Sequence, residues 1–239
     1  MRAEERVIIA LDYPGANEAE QLLRAWAFSQ NKPFIKVGYQ LFYAVGPEWV
    51  VKRKQEGFPV FLDLKLHDIP NTVAKGIESL SRFGVDLLTI HACGGRAMLE
   101  AAKEACEKAG AGTRLLAVTQ LTSTDRKMLN EELGIPGSVE SSVIRYAQLA
   151  YRAGVDGVIC SGRESGMVKQ ATSNDFLAVT PGIRPAHAEA QDQKRVLTPG
   201  EAIQSGADYL VIGRPITRAT DPIAAFEAIV KEIKEVLEE

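Results

Sequence analysis

The segment FLDLKLHDIPNT at residues 61–72 decides the fold, because it sets three charged residues directly behind an apolar run. The apolar residues of this segment, together with Val60, read as a buried strand, and the two-residue period of a strand places Asp63 and Lys65 on the same face, about 7 Å apart. Asp68 follows the strand, where Pro70 ends regular pairing. The charges therefore cluster at the carboxyl end of a strand, where parallel-sheet enzymes place their chemistry.

Length and composition favour one soluble intracellular domain. The chain has 239 residues, close to the usual size of an α/β barrel, so we expect a single domain over residues 1–239. Its three cysteines lack ligand spacing, which indicates a reducing cytoplasm. The apolar run near the start is too short for a signal peptide or a membrane span. A net charge of -3 argues against nucleic acid as the partner.

Strand-like runs alternate with amphipathic stretches of helical length, which is the pattern of βα units. The predicted strands are 7–11, 34–37, 60–64, 87–90, 115–118, 157–160, 177–179 and 209–212. The predicted helices are 17–28, 47–56, 72–83, 96–109, 139–153, 165–170, 199–205 and 221–238. Eight such units predict a single-domain α/β protein, a (β/α)8 TIM barrel, and the irregular segment 182–194 is interpreted as a lid. We find no internal repeat.

Polar residues recur where the predicted strands end, and in a barrel they converge on one mouth. Alternating Lys36, Asp63, Lys65 and Asp68 would form a partly buried chain of opposite charges, with Asp12 following the first strand. Desolvating ions is costly, so such a chain is better explained by a substrate than by stability. Carboxylates on both sides favour the ammonium form of Lys65, which can protonate a carbanion. The alternative is a salt-bridge ring that only closes the mouth.

Two glycine-containing segments after strands seven and eight predict a phosphate site. Gly213 and Arg214 end the eighth strand, and Pro181, Gly182 and Arg184 follow the seventh. Barrels often bind phosphate at these loops, where glycine exposes amide donors and arginine matches phosphate oxygens. Gln193 could reach across from the lid. Alternatively, the glycine serves a tight turn and the arginine only lines the rim.

Metal binding is not expected. The three histidines, His67, His91 and His187, lack the helical spacing of a zinc site, and His67 is better explained as a loop or rim residue.

Taken together, Asp12, Lys36 and the segments DLKLHDIPNT, AVTQLTST, TPGIR and VIGRPIT make the chain resemble orotidine 5'-monophosphate decarboxylases over nearly its whole length. The resemblance implies cofactor-independent conversion of orotidine 5'-monophosphate into UMP and CO2, the last step of de novo pyrimidine nucleotide synthesis. It makes Lys65 the proton donor to C6, with Asp63 beside the departing carboxylate and Lys36 and Asp68 completing the charge array. It also implies a homodimer in which Asp68, Ile69 and Thr72 enter the neighbouring subunit's site.

The remaining substrate contacts are also implied by the resemblance. Asp12 and Lys36 would hold ribose hydroxyls, Thr122 would lie near the base, and Gln193, Gly213 and Arg214 would hold the phosphate, with Pro181 and Arg184 close by. A serine that reads the pyrimidine in some members falls within residues 123–125, and the sequence does not say which side chain replaces it.

Two other functions stay open at this stage. A magnesium-dependent sugar-phosphate decarboxylase or aldol-type synthase would share Asp63, Lys65 and Asp68. A non-catalytic phosphate-ligand binding protein would keep only Gly213 and Arg214, since fold alone never establishes activity.

Overall fold

A computed structural model describes residues 1–185 and 197–238. Within these residues, eight parallel strands close into a barrel in which each strand pairs with its sequence neighbours and β8 pairs with β1. The strands are β1 Val7–Ala10, β2 Phe34–Gly38, β3 Val60–Leu66, β4 Leu87–His91, β5 Arg114–Val118, β6 Gly157–Ile159, β7 Leu177–Pro181 and β8 Tyr209–Ile212. This confirms the predicted α/β class and (β/α)8 barrel. The largest boundary differences lie at the carboxyl ends of β3 and β7.

Helices follow the strands and cover the outside of the barrel. In the described part of the chain they are α1 Ala16–Leu23, α2 Tyr39–Gln55, α3 Pro70–Ser81, α4 Gly95–Ala109, α5 Val139–Arg152, α6 Gly162–Ala171, α7 Pro199–Gln204, α8 Arg214–Thr217 and α9 Pro222–Leu237. Short 3-10 turns occur at Ala3–Arg6, Arg24–Trp26 and Ala92–Gly94, and a single π turn at Met128–Glu132.

Two of the differences between the predicted and the observed helices have identifiable reasons. The prediction began α2 at Pro47, but the helix starts at Tyr39 and is interrupted at Gly46, whose φ of 72° and ψ of -177° are not helical. Because proline favours the first position of a helix, the sequence indicates Pro47 as the start of α2, and the helical segment before Gly46 was overlooked. The four-residue α8 was missed because it is too short to show helical periodicity.

Large side chains fill the barrel interior, so the barrel is a packed core and not a pore. Within it, the ring of Phe34 meets that of Tyr209 edge-on at 5.8 Å. The buried interior residues are Ile8, Ala10, Phe34, Phe61, Leu87, Leu116, Val179, Tyr209 and Val211. A second, larger layer of apolar side chains lies between the strands and the helices. Any cavity must therefore lie at an end of the barrel.

Three aspartates fix the amino-terminal end of the barrel in the same way. Asp86, Asp156 and Asp208 each directly precede an even-numbered strand and accept a hydrogen bond from a backbone N–H of the strand before it, at 2.7–2.8 Å. Each aspartate also forms an ion pair, at 2.6–2.7 Å, with a lysine of the helix that precedes these two strands in the chain. The sequences GVD, GVD and GAD at residues 84–86, 154–156 and 206–208 thus form a short repeat, which the sequence interpretation missed.

Close packing of β6 against β7 generates a stability prediction. A methyl group on Gly157 would lie 2.5 Å from the carbonyl oxygen of Leu177, whereas one on Gly76, inside α3, would make only an ordinary 3.6 Å contact with Leu66. Gly157→Ala should lower the free energy of unfolding by about 1 to 3 kcal/mol because backbone must move. Gly76→Ala should leave it unchanged or raise it by up to about 1 kcal/mol. Denaturant titrations at one protein concentration test both, and equal stability of the two variants would contradict the packing.

Candidate active site

A cavity of about 820 Å³ opens at the carboxyl ends of the strands. Nine predicted site residues line it. They are Asp12, Lys36, Asp63, Lys65, Thr122, Pro181, Arg184, Gly213 and Arg214. They come from six of the eight βα units, so the closed barrel brings together residues that lie far apart in sequence. The volume is within the range of small-molecule sites.

Opposite charges alternate across one side of this cavity. The ammonium of Lys36 lies 2.9 Å from Asp12 Oδ1 and 3.6 Å from Asp63 Oδ2, and the ammonium of Lys65 lies 2.8 Å from Asp63 Oδ1. The predicted chain ended at Asp68, but within one subunit its fourth member is Asp12. The arrangement joins β1, β2 and β3 and fixes both ammonium groups.

The backbone of Lys65 corrects the prediction that it continues a regular strand. Its φ is 49°, and it is the only non-glycine residue with positive φ among residues 1–185 and 197–238. The pairing of β3 with β4 shifts register between Leu62 and Leu66. The two-residue period therefore fails here, and the side chains of Asp63 and Lys65 touch instead of lying about 7 Å apart. Such a conformation costs about 1 to 3 kcal/mol and persists only where its surroundings hold it.

Asp63 is a buried carboxylate that stays charged. Burial by itself raises the pKa of Asp63, but the charges of Lys36 and Lys65 and hydrogen bonds from Lys65 and Thr89 outweigh it, so the pKa is lowered overall. Thr89 donates to Asp63 Oδ1 at 2.9 Å. The site thus holds a fixed negative charge between two ammonium groups, in surroundings that water screens poorly.

Gly38 and Tyr39 shape the lysine pocket, and the sequence analysis missed both. A methyl group on Gly38 would lie 3.1 Å from the Lys36 ammonium, so glycine leaves room for that cation. The ammonium of Lys65 lies 5.2 Å from the centre of the Tyr39 ring, a favourable cation–π position. Partial burial, with the charge of Asp63, raises the pKa of Tyr39, which keeps its phenol neutral. The sequence signal that could have identified these two residues is a glycine followed by an aromatic residue at the end of a strand.

The part of the cavity that follows β7 and β8 is rich in arginine. Gly213 links β8 to α8, and Arg214 is the first residue of α8. The buried Arg184 follows β7 and donates to the carbonyl of Ile183 at 2.8 Å. Arg218 lines the same wall and was missed, since it lies past the motif. Three guanidinium groups on one wall suit an anion with several oxygens. Gln193, His187 and most of the predicted lid lie outside the described residues.

The loop after β5 supplies the third wall, with Gln120, Leu121, Thr122 and Ser123 lining the cavity. Of residues 123–125, Thr124 is buried and does not line the cavity, and the carboxylate of Asp125 accepts a hydrogen bond from the backbone of Met128 at 3.0 Å. Thr122 and Ser123 are therefore the residues of this loop whose hydroxyl groups are available to a ligand. Gln120 is held in place by a 3.1 Å hydrogen bond to Ser142.

Asp68, Ile69 and Thr72 do not line the cavity of their own chain. All three are exposed, and Asp68 Oδ1 accepts a hydrogen bond from the backbone N–H of Ile69 at 2.6 Å. Among the described residues, no group of three or more His, Cys, Asp or Glu side chains is arranged to hold a metal ion. Nor is any helix of the described ranges long and apolar enough to cross a membrane.

Comparisons with known proteins agree with this geometry. Residues 5–229 match the model of the "Orotidine 5'-phosphate decarboxylase / HUMPS family". The chain is 49% identical over 229 residues to orotidine 5'-phosphate decarboxylase of Streptococcus mutans serotype c, covering 96% of this chain and 98% of the relative. The crystal structure of orotidine 5'-phosphate decarboxylase from Lactobacillus acidophilus matches with a TM-score of 0.85 at 40% identity, covering 96% of this chain and 99% of that chain.

A further crystal structure, of an uncharacterized conserved protein from Geobacillus kaustophilus, matches with a TM-score of 0.83 at 44% identity, covering 95% of this chain and 99% of that chain. The family match spans all eight strands, and these relatives cover 95–96% of this chain. The chain belongs to the orotidine 5'-phosphate decarboxylase / HUMPS family.

Proposed function

We propose that this protein decarboxylates orotidine 5'-monophosphate to UMP and CO2 without a cofactor, as the last step of de novo pyrimidine nucleotide synthesis. The observation that carries the proposal is the contact of the Lys65 ammonium with Asp63, 2.8 Å apart, in a cavity that is also lined by three arginines. A nucleotide has its phosphate at one end and its base at the other. The cavity offers arginines for the phosphate and the Lys65–Asp63 pair for the base.

The substrate would lie across the cavity from the arginines to the lysines. Gly213, Arg214 and Arg184 bind the phosphate in this proposal, with Gln193 and Pro181 beside them. Asp12 and Lys36 then bind the ribose hydroxyls. Thr122 contacts the base and holds its C6 side toward Lys65. Bidentate arginine–phosphate contacts fix the position of the whole nucleotide in the cavity.

The chemistry follows from two fixed charges at C6. Asp63 faces the substrate carboxylate, and the repulsion disappears as CO2 leaves. When the carbon–carbon bond breaks, its electron pair stays on C6. The ammonium of Lys65 stabilises that charge and donates its proton to C6, and the lysine then regains a proton from water. No electron acceptor is needed, because the pair that leaves the carboxyl group becomes the new C–H bond.

Binding far from C6 must also contribute to the rate. Enzyme accelerations correspond to about 8 to 23 kcal/mol, more than one ammonium group supplies. Contacts with the phosphate can be used to hold the carboxylate against Asp63, which raises turnover as well as affinity. In this proposal Arg214 therefore influences chemistry at the other end of the substrate.

We infer that a second copy of the chain completes the site. Asp68, Ile69 and Thr72 are exposed and do not line their own cavity, and 67% of the surface of Ile69 is accessible. Beside Lys65, the rings of Tyr39 and Tyr43 stack 5.9 Å apart and are also exposed. A two-fold axis next to this apolar surface would carry Asp68 of each subunit into the other's site.

We also infer one decarboxylase domain over residues 1–239, working in the cytoplasm. The eight strands that close the barrel and the packing of α9 involve residues from 7 to 237. Cys93, Cys106 and Cys160 are all unpaired, which suits a reducing compartment. Cell fractionation tests the location, and recovery of the protein outside the cytosol would contradict it.

The first experiment follows the ultraviolet absorbance of orotidine 5'-monophosphate during incubation with the purified protein. We expect rapid loss of substrate and appearance of UMP, unchanged by a chelator such as EDTA. Activity abolished by EDTA and restored by Mg²⁺ would instead favour a metal-dependent member of the family. Absence of turnover with intact nucleotide binding would favour a binding protein.

Lys65→Ala should abolish measurable decarboxylation while UMP binding persists, because the phosphate wall is untouched. Lys75→Ala is the matched control, since Lys75 is an exposed lysine of α3 that forms an ion pair with Glu78 of the same helix. Steady-state kinetics and calorimetric titration with UMP measure the two properties. Substantial turnover by the Lys65 variant would refute its role as proton donor.

Mixing two inactive variants tests whether Asp68 acts in the neighbouring subunit. Lys65→Ala and Asp68→Ala, unfolded and refolded together, should recover about one quarter of wild-type activity, since half of the random dimers carry one complete site of two. Lys65→Ala mixed with Asp63→Asn is the control. These two residues touch within one subunit, so no dimer of that pair holds a complete site. No recovery in the first mixture would show that Asp68 acts in its own subunit, and wild-type activity of Asp68→Ala alone would show that Asp68 has no role.

A further inference from the structure

Thr89 lies opposite the irregular part of β3. Leu62 pairs with Leu88 and Leu66 pairs with Ile90, so three residues of β3 face the single residue Thr89 of β4. Extra residues in a strand leave backbone groups without ladder partners and re-aim side chains. The three residues are 63–65, which include both the acid and the lysine of the site.

The hydroxyl of Thr89 binds both ends of this bulge. It accepts a hydrogen bond from the backbone N–H of Lys65 at 2.8 Å and donates one to Asp63 Oδ1 at 2.9 Å. Thr89 is completely buried. The same Asp63 oxygen accepts from the Lys65 ammonium at 2.8 Å, so hydroxyl, carboxylate and lysine form a closed set of contacts.

We propose that Thr89 is a positioning residue for the decarboxylation assigned above: its hydroxyl holds Lys65 in its left-handed backbone conformation and aims Asp63. A positive φ at a lysine needs such a restraint. Without the hydroxyl, the Lys65 N–H has no partner from β4 and Asp63 loses one of its two donors on Oδ1. Thr89 makes no contact with the cavity, so it acts only through these two residues.

The decisive comparison is between Thr89→Val, which keeps the branched shape without the hydroxyl, and Thr89→Ser, which keeps the hydroxyl. We expect Thr89→Val to lower kcat by about ten- to one hundred-fold, because hydrogen bonds to charged groups are involved, with little change in KM. Thr89→Ser should restore kcat to near the wild-type value. Thr89→Ala serves as a second hydroxyl-free variant should the valine not fold.

The pH profile distinguishes positioning from general destabilisation. The Thr89 hydrogen bond favours the charged carboxylate, so its loss should raise the pKa of Asp63 and move the acid limb of kcat to higher pH. Thr89→Val changes none of the charged or titratable groups around Asp63, which are Lys36 of β2, Lys65 of β3, His91 of β4, Tyr39 of α2 and, through Lys36, Asp12. In Thr89→Ser, the acid limb of kcat should lie at the same pH as in the wild type.

A carbon-13 NMR titration of the Asp63 carboxyl measures the same change in the pKa of Asp63 without relying on turnover. If the wild type fails to decarboxylate the substrate, the proposed function fails, yet the titration still tests the role of Thr89. Wild-type kcat and an unmoved Asp63 titration in Thr89→Val would overturn the inference. So would a Thr89→Ser variant that behaves like the valine variant.

Discussion

The carboxylate of Asp63 is the group on which the site depends. It is buried beneath the barrel mouth and contacts the ammonium of Lys65, the ammonium of Lys36 and the hydroxyl of Thr89. Leaving a buried charge with fewer partners is strongly destabilising, so these groups are fixed relative to one another. A fixed ammonium needs no reorganisation when negative charge develops beside it, which is the basis of electrostatic catalysis.

The barrel makes this arrangement possible by dividing its tasks between its two ends. At the amino-terminal end, Asp86, Asp156 and Asp208 tie neighbouring strands and the preceding helices together. Apolar side chains fill the middle. The carboxyl end is then free to hold the bulge at Lys65 and the polar walls of the cavity, since strain at one end is offset by regular packing elsewhere.

Much of this was predictable from sequence because strand and helix periods are local signals. All eight strands were identified, and so were eight of the nine cavity residues, since strand ends and the loops after them converge in a barrel. The ninth, Thr122, came only from the family resemblance. The bulge was not predictable, because regular alternation explained Asp63 and Lys65 equally well. Thr89 reads as an ordinary strand residue until the register with β3 is known. Arg218 and Gly38 likewise gain their meaning only from three-dimensional proximity.

The most direct test of the account asks whether Lys65 moves a proton at C6. In D2O, the enzyme should exchange the C6 hydrogen of UMP for deuterium, because the lysine that protonates C6 can also remove that proton. Proton NMR of UMP with wild-type protein should show slow loss of the C6 signal, while Lys65→Ala, saturated with UMP, should show none. Equal exchange by the two proteins would contradict the account.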